Sequence, residues 1–280
     1  MAKMKVLLTG ATGYIASQLL PEFRERYDLR MIDVKAEDAE GRPVEGVEVA
    51  DLLSPNPDES AHWFEGVEAV VHIGYNRPTG EDAWASYEGQ RLNVDMMQRV
   101  YQLALDSGVK RVVAASTNQA AKWYEQPYYS GLLDRVDPED YPRADGLYGW
   151  AKAAYEALGF VYACGGMGGG RLEVVHIRIV CPREIEAAKF EGQPVERYLR
   201  DITGYISARD LRQLFSKSLD TPDIEDEHGV PFHIFNGVSN NARKFWSITN
   251  ARRVIGYAPE DDSEVRFADD IRRMLARAEE

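Results

Sequence analysis

A phenol and an ammonium group are placed four residues apart in a segment with helical periodicity, at Tyr148 and Lys152. Side chains four residues apart lie on the same face of a helix, so these two groups should be neighbours. A phenol with a pKa near ~10 is a poor base at neutral pH, and a nearby cation favours its charged form. The pair therefore indicates proton transfer, with Tyr148 as the acid or base.

A hydroxyl group should lie beside this pair. The apolar run Arg111–Ser116 predicts a buried strand, and Thr117 follows at its end. Because catalytic side chains in open α/β sheets collect at the carboxyl ends of the strands, Thr117 could reach a substrate oxygen next to Tyr148. Proton transfer and substrate positioning thus converge on one edge of the predicted sheet.

A glycine-rich turn precedes these residues near the start of the chain. Residues 10–16, Gly-Ala-Thr-Gly-Tyr-Ile-Ala, follow the predicted strand Lys5–Thr9 and open a helix over Ser17–Tyr27. Glycine allows the tight turn and lets the backbone approach a pyrophosphate, and the helix N-terminus supplies N–H donors to it. Asp33 ends the second predicted strand 20 residues beyond Gly13, where a carboxylate accepts ribose hydroxyls and repels a 2′-phosphate. The pattern predicts NAD rather than NADP, a preference that Lys35 moderates.

Strands and helices alternate along the first 180 residues. Apolar runs predict further strands, and periodic segments predict helices, listed as strands Leu29–Val34, Val67–Ile73 and Glu173–Ile179 and helices Asn93–Gly108 and Leu147–Tyr162. This alternation is typical of a doubly wound parallel sheet, the Rossmann α/β class. The pattern weakens after Cys181, with elements at Ser207–Leu219, Phe232–Phe235 and Val265–Ala278. We predict an NAD-binding domain over residues 1–180 and a smaller substrate-binding lobe over 181–280.

Composition excludes several function classes. The chain has 280 residues and a formal net charge of −13, which disfavours nucleic-acid and membrane-surface partners because these require a basic face. Two cysteines cannot form a disulfide framework, which favours a reducing, cytoplasmic location. We expect no signal peptide, no membrane span and no metal, since no cluster has metal-ligand spacing. His72 and His176 lie in apolar strands and are interpreted as core residues.

Taken together, these motifs resemble the extended short-chain dehydrogenase/reductase family, also described as NAD-dependent epimerases and dehydratases. The resemblance rests on residues 9–16, Asp33, Asp51-Leu52, Asn93, Ser116-Thr117 and the Tyr148–Lys152 pair. It implies that Tyr148 is the acid or base, that Lys152 binds the nicotinamide ribose and lowers the tyrosine pKa, and that Thr117 orients the substrate hydroxyl. It also implies a cofactor site and a homodimer formed through the Tyr-Lys helix. The implied cofactor-binding residues are Gly10, Thr12, Gly13, Tyr14, Ile15, Asp33, Asp51, Leu52, Gly74, Asn93, Tyr148 and Lys152.

The chain also resembles uronate dehydrogenases, which oxidise a sugar acid to its lactone with NAD, in the segments Val71–Gly74, Ala115–Asn118, Leu147–Gly149, Ile177–Ile179, Ile206–Leu211 and Asn236–Tyr257. The resemblance implies that Arg200, seven residues before Ser207, pairs with the sugar carboxylate, with Arg197 as a competitor for that role. It implies further substrate contacts from Tyr75, Asn118 and Gln119. The chain departs from the pattern at these substrate-side positions: Gln119 replaces a histidine, Tyr75 a glycine and Arg77 a serine, and Val180-Cys181 replace Gly-Ser.

Three functions remain open from the sequence. The first is an NAD-dependent dehydrogenase acting on a hydroxyl or hemiacetal of a small sugar or sugar acid. The second is an epimerase that retains its NAD, and the third is a non-catalytic NAD-binding protein. Nucleotide-sugar dehydratases have an Asp-Glu pair after the hydroxyl residue, where this chain has Asn118 and Gln119. Dehydration is disfavoured because these amides cannot exchange protons near neutral pH. The aromatic residues at 123–129 are consistent with either a substrate-covering loop or an interface.

Overall fold

The computed structural model describes residues 2–56, 58–79 and 82–278. Its strands are β1 (Lys5–Thr9), β2 (Asp28–Asp33), β3 (Val47–Val49), β4 (Ala69–His72), β5 (Arg111–Thr117), β6 (Glu173–Ile179) and β7 (Phe232–Gly237). Within the described residues, these seven form one parallel sheet in the order β3-β2-β1-β4-β5-β6-β7. The strand order reverses between β1 and β4, so the predicted doubly wound α/β class is confirmed.

The helices cover both faces of this sheet. They are α1 (Tyr14–Arg26), α2 (Asp58–Ala61), α3 (Ala83–Asp106), α4 (Glu125–Tyr129), α5 (Leu147–Ala163), α6 (Val195–Gly204), α7 (Ala208–Asp220), α8 (Thr249–Ile255), α9 (Ser263–Arg266) and α10 (Ala268–Ala278). Apolar residues of α1 and α7 share one buried core with β1 and β6, and those of α3 and α5 share the other with β4 and β5. Burial on both faces explains why β4 and β5 are almost continuously apolar.

Helix α3 begins earlier than its periodicity predicts. The prediction started it at Asn93, whereas the structure starts it at Ala83, with Asp82 accepting a hydrogen bond from the Ala85 N–H as the cap. The first turns carry Trp84, which is exposed, and so do not follow the core-facing pattern. The glycine-rich segment Gly165–Gly170 forms turns and bends after α5 and is mostly exposed.

The main sheet continues past the boundary predicted near residue 181. Strand β7 pairs with β6 in the main sheet, and α7 packs on the same face as α1, so both belong to the cofactor domain. A separate small core does exist, and it joins α6 to α10 through Tyr198, Ile202 and Ile271. The smaller lobe is therefore built from two chain segments on either side of β7, because the sheet needs β7 and α7 to cover β6.

A buried ion pair joins α5 to the strands that position the site. The Arg178 guanidinium of β6 donates to both carboxylate oxygens of Glu156 on α5, with Nε–Oε1 at 2.9 Å and Nη2–Oε2 at 2.7 Å. The Ser116 hydroxyl of β5 donates to the same carboxylate at 2.5 Å. Because Arg178 and Glu156 are almost fully buried, each depends on the other for its charge. The pair fixes the helix carrying Tyr148 to the strand carrying Thr117.

Replacing Glu156 by alanine should destabilise the protein strongly. The change leaves Arg178 buried without a counter-ion, a situation that costs about 3–5 kcal/mol. Urea unfolding followed by circular dichroism measures this loss. The matched control is Glu225→Ala, which breaks the exposed pair with Arg171 and should cost less than ~1 kcal/mol. Equal losses in the two variants would contradict the role assigned to the buried pair.

Candidate active site

The loops after β1 and β4 meet at the point where the strand order reverses. Gly10 has a φ of 75°, and a Cβ at this position would lie 2.5 Å from the backbone nitrogen of Gly74. Only glycine fits so close an approach. Gly13 then caps α1 with no side-chain hydrogen bond, which leaves the N–H groups of the first turn to a ligand. This uncapped N-terminus in a glycine cradle fits the pyrophosphate of a dinucleotide.

Asp33 stands at the end of β2 beside this loop. Its Oδ2 accepts from the Thr12 N–H at 2.9 Å and from the Thr12 hydroxyl at 2.7 Å, and its Oδ1 accepts from the Val34 N–H at 2.7 Å. The carboxylate is thereby fixed in orientation with lone pairs remaining for ribose hydroxyls. The Lys35 ammonium donates to the Asp38 carbonyl instead of pairing with Asp33. The negative charge that favours NAD is thus kept.

The other predicted cofactor residues occupy distinct positions around the cleft. Ala50 donates its N–H to the Asp33 carbonyl at 2.8 Å, which places the following Asp51 and Leu52 beside the end of β2. Tyr14 is exposed and donates its hydroxyl to the Pro182 carbonyl at 3.1 Å. Ile15 follows in the first turn of α1 and packs against the core.

Asn93, another of the predicted cofactor-binding residues, lies behind the loop that follows β4. It is buried on α3, where its Oδ1 accepts from the Asn76 N–H and its Nδ2 donates to the Asn76 carbonyl, both at 2.8 Å. These bonds fix the loop that carries Gly74 and Tyr75. Asn93 therefore positions the cleft wall from behind, because its amide is fully engaged with that loop's backbone.

Tyr148, Thr117 and Lys152 come together at the carboxyl end of β5. Tyr148 lies in the first turn of α5, whose N-terminus favours negative charge. Lys152 is buried, donates to the Ala115 carbonyl at 2.8 Å, and has its Nζ 5.9 Å from the centre of the Tyr148 ring. Thr117, also buried, accepts from the Gln119 N–H at 3.3 Å. The three groups predicted from the sequence therefore share one end of the cleft.

Burial dominates the pKa values of Tyr148 and Lys152. Burial, and then the neighbouring Tyr75, raise the pKa of Tyr148 to about 12, against a lowering by the Thr117 hydroxyl. Burial also lowers the pKa of Lys152 to about 7, although Glu156 opposes this. Any lowering of the Tyr148 pKa by Lys152 is outweighed here by the desolvation of the buried phenol. A further positive charge next to Tyr148 would favour the phenolate.

Of the predicted substrate-side residues, Tyr75 lies against Tyr148. The two rings meet edge to face with centroids 5.3 Å apart, and Gln90 donates to the Tyr75 hydroxyl at 2.8 Å. Asn118 and Gln119 continue from Thr117, and Gly149 packs directly on the Gln119 carbonyl, where any side chain would collide. This contact sets the separation between Tyr148 and the Thr117 segment.

Arg200 lies near Asn118, but its guanidinium is already paired. Its Nε donates to Glu125 Oε2 at 2.6 Å and its Nη2 to Oε1 at 3.1 Å. The Asn118 amide donates to the same Oε1 at 3.1 Å. The structure thus holds the Arg200 guanidinium on Glu125, so a substrate carboxylate, the partner expected from the sequence, would have to compete with Glu125 for it. Arg197 instead donates to the Gln193 side chain, which lies just before α6.

The aromatic segment at 123–129 packs against its own chain. Tyr128 stacks on Phe245 with ring centroids 3.9 Å apart, and the Tyr129 hydroxyl lies 3.4 Å from that of Thr203. The Arg143 guanidinium lies 4.6 Å from the Trp123 ring. These contacts connect the Thr117 segment to the C-terminal part of the chain and hold Glu125 against α6.

The two strand histidines are core residues, as predicted. His72 lies 2.7 Å from the Thr9 hydroxyl and His176 lies 2.7 Å from the Tyr101 hydroxyl. Burial lowers the pKa of each to about 3, so both are neutral. Among the described residues there is no group of three or more side chains able to hold a metal, and no helix long and apolar enough to cross a membrane.

Sequence reasoning missed three acidic residues of this region. Glu156 is the one acidic residue in α5 and lies four residues after Lys152, a signal that it faces the same buried side. Arg178, inside an apolar strand, is the matching signal for its partner. Glu125 and Asp201 gave no such signal, because their partners are defined by the packing of α6.

Comparison with known proteins agrees with this geometry. The family model described as "NAD dependent epimerase/dehydratase family" matches residues 6–168. An NAD-dependent glucose-6-phosphate dehydrogenase of Haloferax volcanii is 32% identical over 268 residues, covering 92% of this chain and 94% of that protein. An L-arabinose 1-dehydrogenase (NAD(P)(+)) of the same organism is 29% identical over 275 residues, covering 92% and 97%. The crystal structure of uronate dehydrogenase from Agrobacterium tumefaciens superposes with a TM-score of 0.70 at 21% identity, covering 98% of this chain and 90% of that one.

Proposed function

Because the chain belongs to the NAD-dependent epimerase/dehydratase family, we propose that it oxidises the anomeric hydroxyl of an aldose or aldose derivative to the lactone. Membership confirms the resemblance identified from the motifs, together with an NAD-dependent dehydrogenase as the enzyme class and NAD as the cofactor. The observation that carries the proposal is the convergence of Tyr148, Thr117 and Lys152 at one end of the cleft. Four curated relatives are named as dehydrogenases of a sugar, a sugar phosphate or a sugar acid, and these names support the substrate class.

In the proposed reaction, Tyr148 removes the proton of the anomeric hydroxyl while Thr117 and Asn118 hold that oxygen. NAD, when bound, would supply the hydride acceptor and the positive charge of its oxidised ring. That charge adds to the Lys152 ammonium and to the N-terminus of α5, and all three favour the phenolate. Lys152 would also donate to the nicotinamide ribose, while the N–H groups of α1 and the Asp33 carboxylate hold the rest of the cofactor.

Replacing Tyr148 by phenylalanine tests the proposed base. We expect a loss of at least ~10²-fold in the rate of NADH formation, since general-base catalysis contributes about 10²–10⁴-fold. The affinity for NAD, measured by calorimetry, should stay nearly unchanged because the ring is kept. Tyr124→Phe is a matched control on an exposed phenol that donates to the Tyr141 carbonyl. Persistent turnover in the Tyr148 variant would refute the mechanism.

The same assay separates the alternatives. An epimerase that retains its cofactor would be purified with stoichiometric NAD and would form no net NADH. A non-catalytic protein would bind NAD without turnover of any sugar. The relatives are named as dehydrogenases, which favours the first function.

Replacing Lys152 by methionine should displace the pH dependence of the reaction. The phenolate is the active form, so kcat/KM rises with pH up to the pKa of Tyr148. Removing a neighbouring cation raises that pKa, and the rising limb of the profile should therefore shift to higher pH. The loss in kcat/KM would be larger at pH 7 than at pH 10. A uniform loss across the profile would indicate that Lys152 acts only by binding the ribose.

The homodimer expected from the resemblance stays a prediction. Helices α3 and α5 carry an exposed aromatic ladder in which Trp84 contacts Tyr87 and Tyr87 contacts Trp150, with ring centroids 5.7 and 5.3 Å apart. Exposed aromatic side chains of this kind suit an interface. Sedimentation velocity at micromolar concentration should give twice the chain mass of 31.6 kDa. A monomer under these conditions would refute it.

A further inference from the structure

Four charged residues form an alternating row between α6 and the loops at the sheet edge. Arg183 Nη2 lies 2.9 Å from Asp201 Oδ2, and Asp201 Oδ1 lies 3.9 Å from Arg200 Nη1. Arg200 then makes its two bonds to Glu125, at 2.6 and 3.1 Å. This charged row contains two cations and two anions, so its formal charge is zero.

The charged row lies along the cleft from the cofactor loop to the catalytic group. Arg183 directly follows Pro182, whose carbonyl accepts from Tyr14 in the first turn of α1. At the other end, Glu125 accepts from Asn118, the residue after Thr117. A sugar whose anomeric oxygen is held by Thr117 and Tyr148 would therefore extend its remaining groups toward Glu125 and Arg200.

The two acids of the charged row are more buried than its two arginines. The side chains of Glu125 and Asp201 are each 10% exposed, whereas those of Arg200 and Arg183 are 36% and 63% exposed. A substrate anion at Arg200 would either displace Glu125, leaving a buried carboxylate without its partner, or lie close to two carboxylates. Both arrangements oppose an anionic substituent. The free lone pairs of the carboxylate and the unused N–H groups of the guanidinium suit hydroxyl groups instead.

We propose that the substrate is an uncharged, unphosphorylated aldose whose hydroxyl groups bind Glu125 and Arg200. This inference rests on the proposed function, since it concerns the same site. Glu125 sets the specificity by keeping Arg200 from acting as an anion receptor. A charged sugar is then disfavoured because it cannot form an ion pair with Arg200, whereas a neutral sugar needs no such pair.

Arg77 is a second cation available to bind a substrate anion. Arg77 follows Tyr75 by two residues, is exposed, and has no ion-pair partner within the described part of the chain. It stands where the resemblance places a substrate-contacting serine. If Arg77 bound a substrate anion, neutrality of the charged row would not decide the substrate class.

The first experiment measures NADH formation on matched sugars: D-galactose against D-galacturonate, and D-glucose against D-glucuronate and D-glucose 6-phosphate. We expect kcat/KM for each neutral sugar to exceed that for its charged counterpart by at least ~10-fold. The reverse preference would overturn the proposal. A reverse preference that Arg77→Ala removes would assign the anion site to Arg77.

Glu125→Gln isolates the specificity residue. The amide keeps the shape but frees the charge of Arg200, so the ratio of neutral to acidic kcat/KM should fall at least ~10-fold. The control is Arg197→Ala on α6, the helix that also carries Arg200. This change should leave the ratio unchanged because the Arg197 side chain is exposed and donates to Gln193. An unchanged ratio in Glu125→Gln would overturn the role given to Glu125.

Calorimetry with the Tyr148→Phe protein saturated with NADH gives a readout independent of turnover. Tighter binding of the neutral sugars supports the proposal, and tighter binding of the acids, or binding of neither class, overturns it. Failure of the proposed function would be seen separately, as no NADH from any sugar with the unmodified enzyme. Thermal unfolding of each variant, compared with the unmodified protein, confirms that it is folded before its ratio is used.

Discussion

The buried carboxylate of Glu156 is the contact on which the geometry of the site depends. It accepts from Arg178 on β6 and from Ser116 on β5, and so fixes α5 to two adjacent strands. Tyr148 and Lys152 are on that helix, and Thr117 follows Ser116. A charged group buried to this degree tolerates only one arrangement of its partners, because any other leaves it unpaired. The relative placement of phenol, ammonium and hydroxyl therefore follows from one carboxylate that touches none of them.

A second carboxylate, Glu125, has the corresponding position on the substrate side. It joins the segment after β5, through Asn118, to α6, through Arg200. The aromatic contacts of residues 123–129 hold it there, because Tyr128 stacks on Phe245 of the C-terminal part of the chain. The catalytic and substrate sides thus use the same device, a buried acid holding an arginine from another element. The Glu156–Arg178 pair fixes the position of α5, and the Glu125–Arg200 pair neutralises the arginine charge.

Most of the cofactor-side geometry could be predicted from the sequence. The glycine turn, Asp33 and the Tyr148–Lys152 pair depend on spacing within one strand, turn or helix, and that spacing is read directly from the chain. Packing decided other features that spacing does not encode: β7 pairs with β6 in the main sheet, α3 begins at Ala83, and Asn93 binds the loop after β4. The pKa of Tyr148 also differed, because desolvation depends on what buries the phenol.

By itself, the sequence determined the doubly wound fold, the preference for NAD and the group of residues at the end of β5, since each is encoded by local periodicity or by spacing within one element. Only the tertiary structure decided the pairing of Arg200 with Glu125 beside the Thr117 segment. Arg200 and Glu125 are 75 residues apart, and no periodicity links an exposed arginine on α6 to an acid among aromatic residues. Their pairing arises when α6 packs over the segment after β5, so the electrostatics of the cleft is a property of the folded chain.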